Sequence, residues 1–134
     1  MASENSAQLL RGAPYFPVAD VKSSAAYYDR VFGFRSEYSA GDPPEFAIAS
    51  RDGLSIMLRR VRAPELIVPN EKQGGTWDAF FWVRDANALH AELAANGAVV
   101  VYGPMVQPTY HMLEFAVRDP EGYVLGFGEP LKRS

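Results

Sequence analysis

The sequence contains no cysteine, no long hydrophobic run and no excess of positive charge. The absence of cysteine excludes disulfides, thiolate zinc sites and a cysteine nucleophile. No apolar stretch approaches the roughly 18 residues that can cross a bilayer. Thirteen basic and sixteen acidic residues give a formal charge of −3, so nucleic acid is not expected as a partner. Because no run is long enough to span a bilayer, a membrane is not expected either.

The chain has the size and composition of one folded domain. It is 134 residues long, with 48% apolar and 13% aromatic residues, and domains of this length bury a substantial core. Residues 1–14 are polar and lack the apolar segment of a secretory signal, which together with the absence of cysteine predicts a cytoplasmic protein. Residues 1–11 and 131–134 are predicted to be flexible tails.

Two halves of the chain repeat one order of predicted elements. A capping aspartate opens each helix, and a glycine follows it. Short alternating apolar runs around turn residues predict the strands. The predicted first half has a strand ending at Val18, a helix over 21–32, and strands over 34–39, 46–50 and 54–60. The predicted second half has a strand over 79–83, a helix over 86–96, and strands over 98–102, 113–117 and 123–127.

Short sequence matches support an internal duplication. The stretch FPVAD at 16–20 recurs as FWVRD at 81–85, which is 65 residues later. The turn RDG at 51–53 recurs as RDPEG at 118–122, with two residues inserted. A capped helix, a hairpin turn and the order of elements therefore all occur twice.

The duplicated order predicts an α+β fold of two tandem βαβββ modules within one domain, residues 12–130. The first module covers about 12–62, a linker covers 63–76, and the second module covers about 77–130. One helix can cover only one face of each small sheet. Two modules side by side can therefore form a half-barrel sheet with the helices outside and a concave face, where small ligands bind.

Four segments of the chain resemble the vicinal oxygen chelate superfamily, which includes glyoxalase I, extradiol dioxygenases, and fosfomycin- and bleomycin-resistance proteins. They are FPVADVKSSAAYYDRVFGF, FAIASRDGLSIML, FFWVRDANALHAELAANGA and LEFAVRDPEGYVLGFGEP. The last of these and FFWVRDANALHAEL are most similar to the bleomycin-resistance branch. The resemblance implies a homodimer with two grooves shared between the subunits.

The resemblance also implies where a metal would be bound in this superfamily. The four positions are one on the first strand and one on the last strand of each module. They hold Ala13, Met57, Asp78 and Gly126, of which only Asp78 suits a divalent cation. No metal and no other cofactor are therefore expected, although a displaced site of Asp78 with Glu114 or His111 stays open.

Strand alternation then assigns residues to the concave face. Aromatic side chains beside carboxylates suit a planar or cationic ligand, through ring stacking and cation–π attraction. Alternatively, Phe80 and Trp82 pack at a dimer interface, and His111 is only a polar residue at the end of a loop. The predicted ligand-binding residues are Tyr15, Met57, Arg59, Asp78, Phe80, Trp82, His111, Met112, Glu114 and Gly126.

The sequence thus favours a bleomycin-resistance-like protein that sequesters a planar or cationic compound in a groove at the dimer interface. No catalytic residue is assigned, and an antibiotic-resistance role would follow from tight binding alone. One alternative is a lyase, isomerase or dioxygenase of the superfamily, using a displaced metal or an acid–base carboxylate. Another is a metabolite-binding regulatory domain. Loops over 61–77 and 102–111 are expected to gate the groove.

Overall fold

The computed structural model describes residues 6–132 and contains two successive βαβββ modules. The first module consists of β1 (Tyr15–Val18), α1 (Val21–Phe32), β2 (Arg35–Ala40), β3 (Phe46–Arg51) and β4 (Leu54–Arg60). The second consists of β5 (Ala79–Trp82), α2 (Ala86–Ala95), β6 (Val99–Gln107), β7 (Met112–Arg118) and β8 (Val124–Pro130). The predicted α+β fold and its duplicated order are confirmed. The predicted tails lie partly outside the described residues.

Both helices are capped at their N-termini by the predicted aspartate. The Asp20 carboxylate accepts a hydrogen bond from the backbone N–H of Ser23 at 3.1 Å. The Asp85 carboxylate accepts one from Ala88 at 3.0 Å. Each bond satisfies a donor that the first helical turn leaves without a partner. Helix α1 ends at Gly33, whose φ of 72° places it in the left-handed region that glycine adopts without strain.

Each module forms a separate four-stranded sheet. The strand orders are β1-β4-β3-β2 and β5-β8-β7-β6. The first strand of each module pairs parallel with the last, and the other pairs are antiparallel. Neither sheet closes into a barrel. Within the described part of the chain, no helix is long and apolar enough to cross a membrane.

One hydrophobic core serves both modules. The helices and the helix-facing sides of the two sheets contribute to the same cluster of buried side chains. The side chains that alternate with the predicted ligand-binding residues, such as Leu58 between Met57 and Arg59 and Phe81 between Phe80 and Trp82, lie in or against this core, so the predicted register is the observed one. Fully or nearly buried strand members of the core are Phe16, Val18, Ala47, Ala49, Ile56, Leu58, Phe115, Val117, Leu125 and Phe127.

The hairpin between β7 and β8 anchors the second module to the first. The Tyr123 ring stacks on Phe16 with ring centroids 4.4 Å apart. The Tyr123 hydroxyl donates to the Pro17 carbonyl at 2.6 Å. The buried Tyr28 hydroxyl donates to Asp119 at 2.6 Å. These contacts combine ring packing with one buried and one partly buried hydrogen bond, and a hydrogen bond is stronger where water is excluded.

A second set of contacts joins the other ends of the two modules. Arg51, at the end of β3, donates two hydrogen bonds to the Glu92 carboxylate, at 2.7 and 2.9 Å. The Asn96 side-chain amide, after α2, donates to the carbonyl of Val31 in α1 at 3.2 Å. A two-point arginine–carboxylate pair fixes orientation as well as distance.

Strand β6 is longer than the sequence indicated. It continues from Val99 to Gln107, whereas the alternating pattern ends at Tyr102. Its pairing with β7 shifts on both sides of Tyr102, and Gly103 has a φ of 81°. These irregularities interrupt the two-residue period, so the pattern conceals the rest of the strand. The connection to β7 is correspondingly shorter than the predicted loop over 102–111.

Asp119 is a buried carboxylate at the junction of the modules. It is 4% exposed. Besides Tyr28, the backbone N–H groups of Glu121 and Tyr123 donate to it, each at 2.9 Å. Each of these three hydrogen bonds lowers the pKa of Asp119, but burial has the larger effect and raises this pKa to about 6.

We predict that Asp119 makes the protein less stable as the pH rises from about 4 to about 6. The folded protein holds this proton up to about pH 6, whereas an unfolded chain releases it near pH 4. Because the native state binds more protons in this window, the free energy of unfolding falls by about 2–3 kcal/mol across it. Chemical denaturation of the wild type and of Asp119→Asn at several pH values measures the effect.

The comparison with the variant isolates this one group. Hydrogen bonds from Arg11 and Arg51 lower the pKa values of Glu37 and Glu92, so these two groups make the protein more stable as the pH rises. Both proteins contain them, and their contribution therefore cancels in the comparison. The stability of the wild type relative to Asp119→Asn should therefore fall with rising pH. A difference that does not change between pH 4 and 6.5 would contradict the prediction.

Candidate functional site

An aromatic pocket lies on the face of the second sheet that points away from the core. Its volume is about 390 Å³. The rings of Trp77 and Phe80 have centroids 4.7 Å apart, and those of Phe80 and Trp82 are 5.1 Å apart, both edge to face. A surface of this kind suits the ring system of a small ligand. The lining residues are Trp77, Phe80, Trp82, Tyr110 and Met112.

Two glycines in β8 make room for these rings. Gly126 pairs with Phe80 and Gly128 with Trp82 in the register of β5 and β8. A Cβ atom at Gly126 would lie 2.6 Å from the Trp77 ring and 2.7 Å from the Phe80 ring. A Cβ at Gly128 would also lie 2.7 Å from Phe80. The glycines therefore allow the rings to lie directly on the sheet backbone.

Glu114 is a buried carboxylate beside the pocket. It is 1% exposed, and both oxygens accept hydrogen bonds from phenols. Tyr110 donates at 2.7 Å, and Tyr102 donates to the other oxygen. The Trp77 indole N–H in turn donates to the Tyr102 oxygen at 2.8 Å. The carboxylate is thus connected through one phenol on each side to the walls of the pocket.

The two phenols hold their protons firmly. Burial, together with the hydrogen bond to Glu114, raises the pKa of Tyr110 to about 12. The same causes raise the pKa of Tyr102 further. Both side chains therefore act as hydrogen-bond donors to the carboxylate at neutral pH. No lysine, arginine or histidine among residues 6–132 forms an ion pair with Glu114.

Half of the residues predicted for the site lie together at this pocket. Phe80, Trp82 and Met112 line it. Glu114 is bonded to the lining residue Tyr110, and a Cβ on Gly126 would contact the lining rings. Strand alternation predicted which side chains of β5 and β8 lie on this face, and the observed pairing of the two strands agrees with it.

Asp78 and His111 are placed differently. The two carboxylate oxygens of Asp78 accept backbone N–H groups of Asn70 and Val124, both at 2.8 Å. Asp78 thus holds the linker against β8. His111 is exposed, adopts a φ of 54°, and its carbonyl accepts the N–H of Leu131 at 2.9 Å. Neither residue lines the aromatic pocket.

The remaining predicted residues lie on the first sheet. Tyr15 and Met57 are neighbours in the pairing of β1 with β4. The Arg59 guanidinium lies 5.4 Å from the centre of the Tyr15 ring, within the range of a cation–π interaction. These three residues and the aromatic pocket therefore belong to different sheets of one chain.

Three residues of the site were not predicted from the sequence. Trp77 precedes the first predicted residue of its strand, and Tyr110 lies in a loop. Tyr102 lies where the β6 pairing is irregular. Periodicity assigns faces only within regular strands, so none of the three could be placed. The only indication in the sequence that they belong to the site is that each is aromatic and directly precedes Asp78, Gly103 or His111.

The four positions implied as metal ligands do not fit a divalent cation. Ala13 and Gly126 have no donor atom, and Met57 offers only a thioether. Both oxygens of Asp78 are engaged by backbone N–H groups. Across residues 6–132, no group of three or more histidine, aspartate or glutamate side chains could hold a metal ion.

Comparison with known proteins identifies the family. A family model described as the Glyoxalase/Bleomycin resistance protein/Dioxygenase superfamily matches residues 11–127. The chain therefore belongs to this superfamily, as its sequence resemblance indicated. No curated protein sequence matches the chain.

Several solved structures share the fold. TioX from Micromonospora sp. ML1 is 25% identical, with a TM-score of 0.72, and the match covers 90% of this chain and 98% of TioX. The antibiotic-binding protein TnmS3 from Streptomyces sp. CB03234 is 21% identical, with a TM-score of 0.67 and coverage of 93% and 97%. The bleomycin-binding protein from Streptomyces verticillus, solved with copper(II)-bleomycin, is 20% identical, with a TM-score of 0.66 and coverage of 94% and 99%.

We predict that Gly126→Ala disrupts the aromatic pocket. The added Cβ would lie far inside contact distance of Trp77 and Phe80, so both rings must move. Overpacking of this kind costs about 1–3 kcal/mol of stability. Displacement of Trp77 into water should also shift its fluorescence emission to longer wavelength.

Gly12→Ala is the matched control, since a Cβ at that position would meet no atom within 4 Å. Denaturation and emission spectra of both variants test the prediction. It fails if Gly126→Ala matches the wild type in stability and emission.

Proposed function

We propose that the protein binds and sequesters a planar, cationic small molecule, and that the aromatic pocket holds its ring system. The observation that carries this proposal is the buried Glu114 carboxylate, which lacks a cationic partner within residues 6–132 and lies against a wall of aromatic rings. Membership of the superfamily supports it, as do neighbours of the same fold that are described as antibiotic- and bleomycin-binding proteins.

The pocket offers three attractions to such a ligand. The rings of Trp77, Phe80 and Trp82 provide stacking surfaces, and each aromatic pair contributes roughly 0.5–1.5 kcal/mol beyond area burial. A cationic group gains cation–π attraction from the indoles. It also gains charge attraction from Glu114, whose carboxylate is itself buried and is therefore screened less than an exposed charge. Tyr110 both lines the pocket and bonds to Glu114, so the cation approaches the carboxylate beside this phenol.

Sequestration needs no catalytic group and no metal. The residues at the four positions where the superfamily binds its metal, Ala13, Met57, Asp78 and Gly126, agree with a binding role. The protein would protect by mass action, with tight affinity and abundance in place of turnover. The location in the cytoplasm stays a prediction from the sequence.

The binding test uses metal-stripped protein and two probes. Isothermal titration with copper-free bleomycin, and separately with the flat aromatic cation proflavine, should show saturable binding at micromolar affinity or better. Trp82→Ala should weaken binding at least tenfold because it removes a stacking face, which corresponds to about 1.4 kcal/mol. Glu114→Gln should weaken binding because it removes the negative charge but keeps a side chain of the same shape.

Matched controls are Val99→Ala, an exposed apolar residue of β6, and Glu45→Gln, an exposed glutamate. Both should bind like the wild type. Absence of binding by either probe, or equal binding by Trp82→Ala, would refute the proposed function.

We also propose that a second copy of the chain completes the groove. Because the helix-facing sides of both sheets are used in one core, the opposite sides are covered only in part within one chain, as over Glu114. They expose large apolar side chains, including Tyr15 at 52%, Tyr38 at 55% and Trp82 at 68%. Arg59 on the first sheet complements the negative Glu114 on the second. A first sheet of one copy facing the second sheet of another would enclose both predicted residue groups in one groove.

Sedimentation equilibrium tests this arrangement and should give twice the 14.8 kDa mass of the chain. Tyr15→Glu places a charge on the uncovered first sheet and should shift the protein toward monomer, with weaker bleomycin binding. Ala91→Glu, on the exposed side of α2, should leave the mass unchanged. A wild type that sediments as a monomer at all concentrations, or a fully dimeric Tyr15→Glu, would contradict the shared groove.

A further inference from the structure

A second cavity, the intermodule cleft, lies between the β3–β4 hairpin and helix α2. Its volume is about 720 Å³, within the range of small-molecule sites. It is separate from the aromatic pocket, although Trp82 borders both. The floor is aromatic, with Phe34 and Phe127 each less than 6 Å from Phe81 between ring centroids. Leu54, Ala88 and Leu89 lie along its walls.

The internal duplication shows which groups lie at the corresponding place on the other half of the molecule, where a smaller cavity of about 440 Å³ remains beside Ala19, Asp20 and Glu121. There the longer β7–β8 hairpin closes against the first module. Tyr123 stacks on Phe16, and the Glu121 carboxylate accepts the backbone N–H of Ala19 at 2.8 Å. The β7–β8 hairpin thus places an aromatic ring, Tyr123, and a carboxylate, Glu121, against the first module.

The β3–β4 hairpin lacks both groups. It is two residues shorter, has no glutamate, and carries Leu54 where the other hairpin has Tyr123. The residues that would receive the missing groups are present. Phe81 corresponds to Phe16, and Arg84 corresponds to Ala19, each 65 positions later.

Arg84 offers two kinds of donor at this cleft. Within residues 6–132, its backbone N–H has no hydrogen-bond acceptor and its guanidinium has no ion-pair partner. The other rim charges are engaged or point to water. Arg51 pairs with Glu92, Asp85 caps α2, and the Asp52 side chain is 87% exposed and lies 3.8 Å from Arg51. Arg84 is therefore the rim charge left for an anion.

We infer that the intermodule cleft is a second binding site, for a small aromatic carboxylate. The ligand carboxylate takes the place that Glu121 has in the other half, accepting the Arg84 N–H and facing the guanidinium. The ring takes the place of Tyr123 and packs on Phe81 against the apolar walls. The site is independent of the aromatic pocket and selects the opposite ligand charge.

The probe is 2-naphthoate, titrated into methyl-labelled protein and followed by NMR. Methyl groups of Leu54 and Leu89 report on the cleft, and the Met112 methyl reports on the aromatic pocket. We expect saturable shifts at the two leucines with little change at Met112. The neutral amide, 2-naphthamide, should bind at least about fivefold more weakly, since a charge-assisted hydrogen bond is replaced by a neutral one.

Two pairs of variants test the assignment. Arg84→Gln should weaken naphthoate binding about fivefold or more, whereas Arg62→Gln, at another exposed arginine without an ion pair, should not. Ala88→Phe narrows the mouth and should abolish the shifts. Ala91→Phe places the same ring on an exposed position of the same helix, outside the cleft, and should leave them intact.

The inference is overturned if the leucine methyls do not shift, if the shifts are confined to Met112, or if Arg84→Gln binds like the wild type. Equal binding of naphthoate and naphthamide would also overturn it. Bleomycin or proflavine titrations of the same variants report on the aromatic pocket, so failure of either site is recognised separately.

Discussion

The shared hydrophobic core is the constraint on which the other features of the molecule depend. Side chains in a strand alternate between two faces, so a sheet that commits one face to the core presents the other outward. Both modules commit their helix-facing sides to the same core. The outward faces are consequently free to carry polar, aromatic or small residues without loss of core packing. Trp82, Gly126 and Glu114 can therefore lie side by side on three neighbouring strands, β5, β8 and β7.

The fold was predictable because its local signals agree with one another. Asp20 and Asp85 cap their helices, and the turns at 51–53 and 118–122 recur with their flanking strands. Alternation then placed the core residues on the correct side. Strand β6 beyond Tyr102 escaped prediction, since a shifted register and a glycine of positive φ interrupt the period.

The site was predictable only where it lies on regular strands. Phe80, Trp82, Met112 and Glu114 could be placed by alternation. In contrast, which partners a carboxylate finds depends on contacts that no spacing reveals. Asp78 and Glu114 are both carboxylates that were predicted for the same face. Asp78 accepts backbone N–H groups of the linker and of β8, whereas Glu114 accepts hydrogen bonds from two phenols. The contribution of loop and bulge residues was hidden for the same reason.

The unequal hairpins bear on how such a duplicated protein can accept insertions and deletions. The Asp119 hairpin is tied into the core by Tyr28 and by its own backbone, so a change of its length would disturb buried hydrogen bonds. The counterpart aspartate, Asp52, lies almost entirely in water. Evolution of one half can therefore proceed by altering the length of a surface turn, while the other half preserves the docking of the modules.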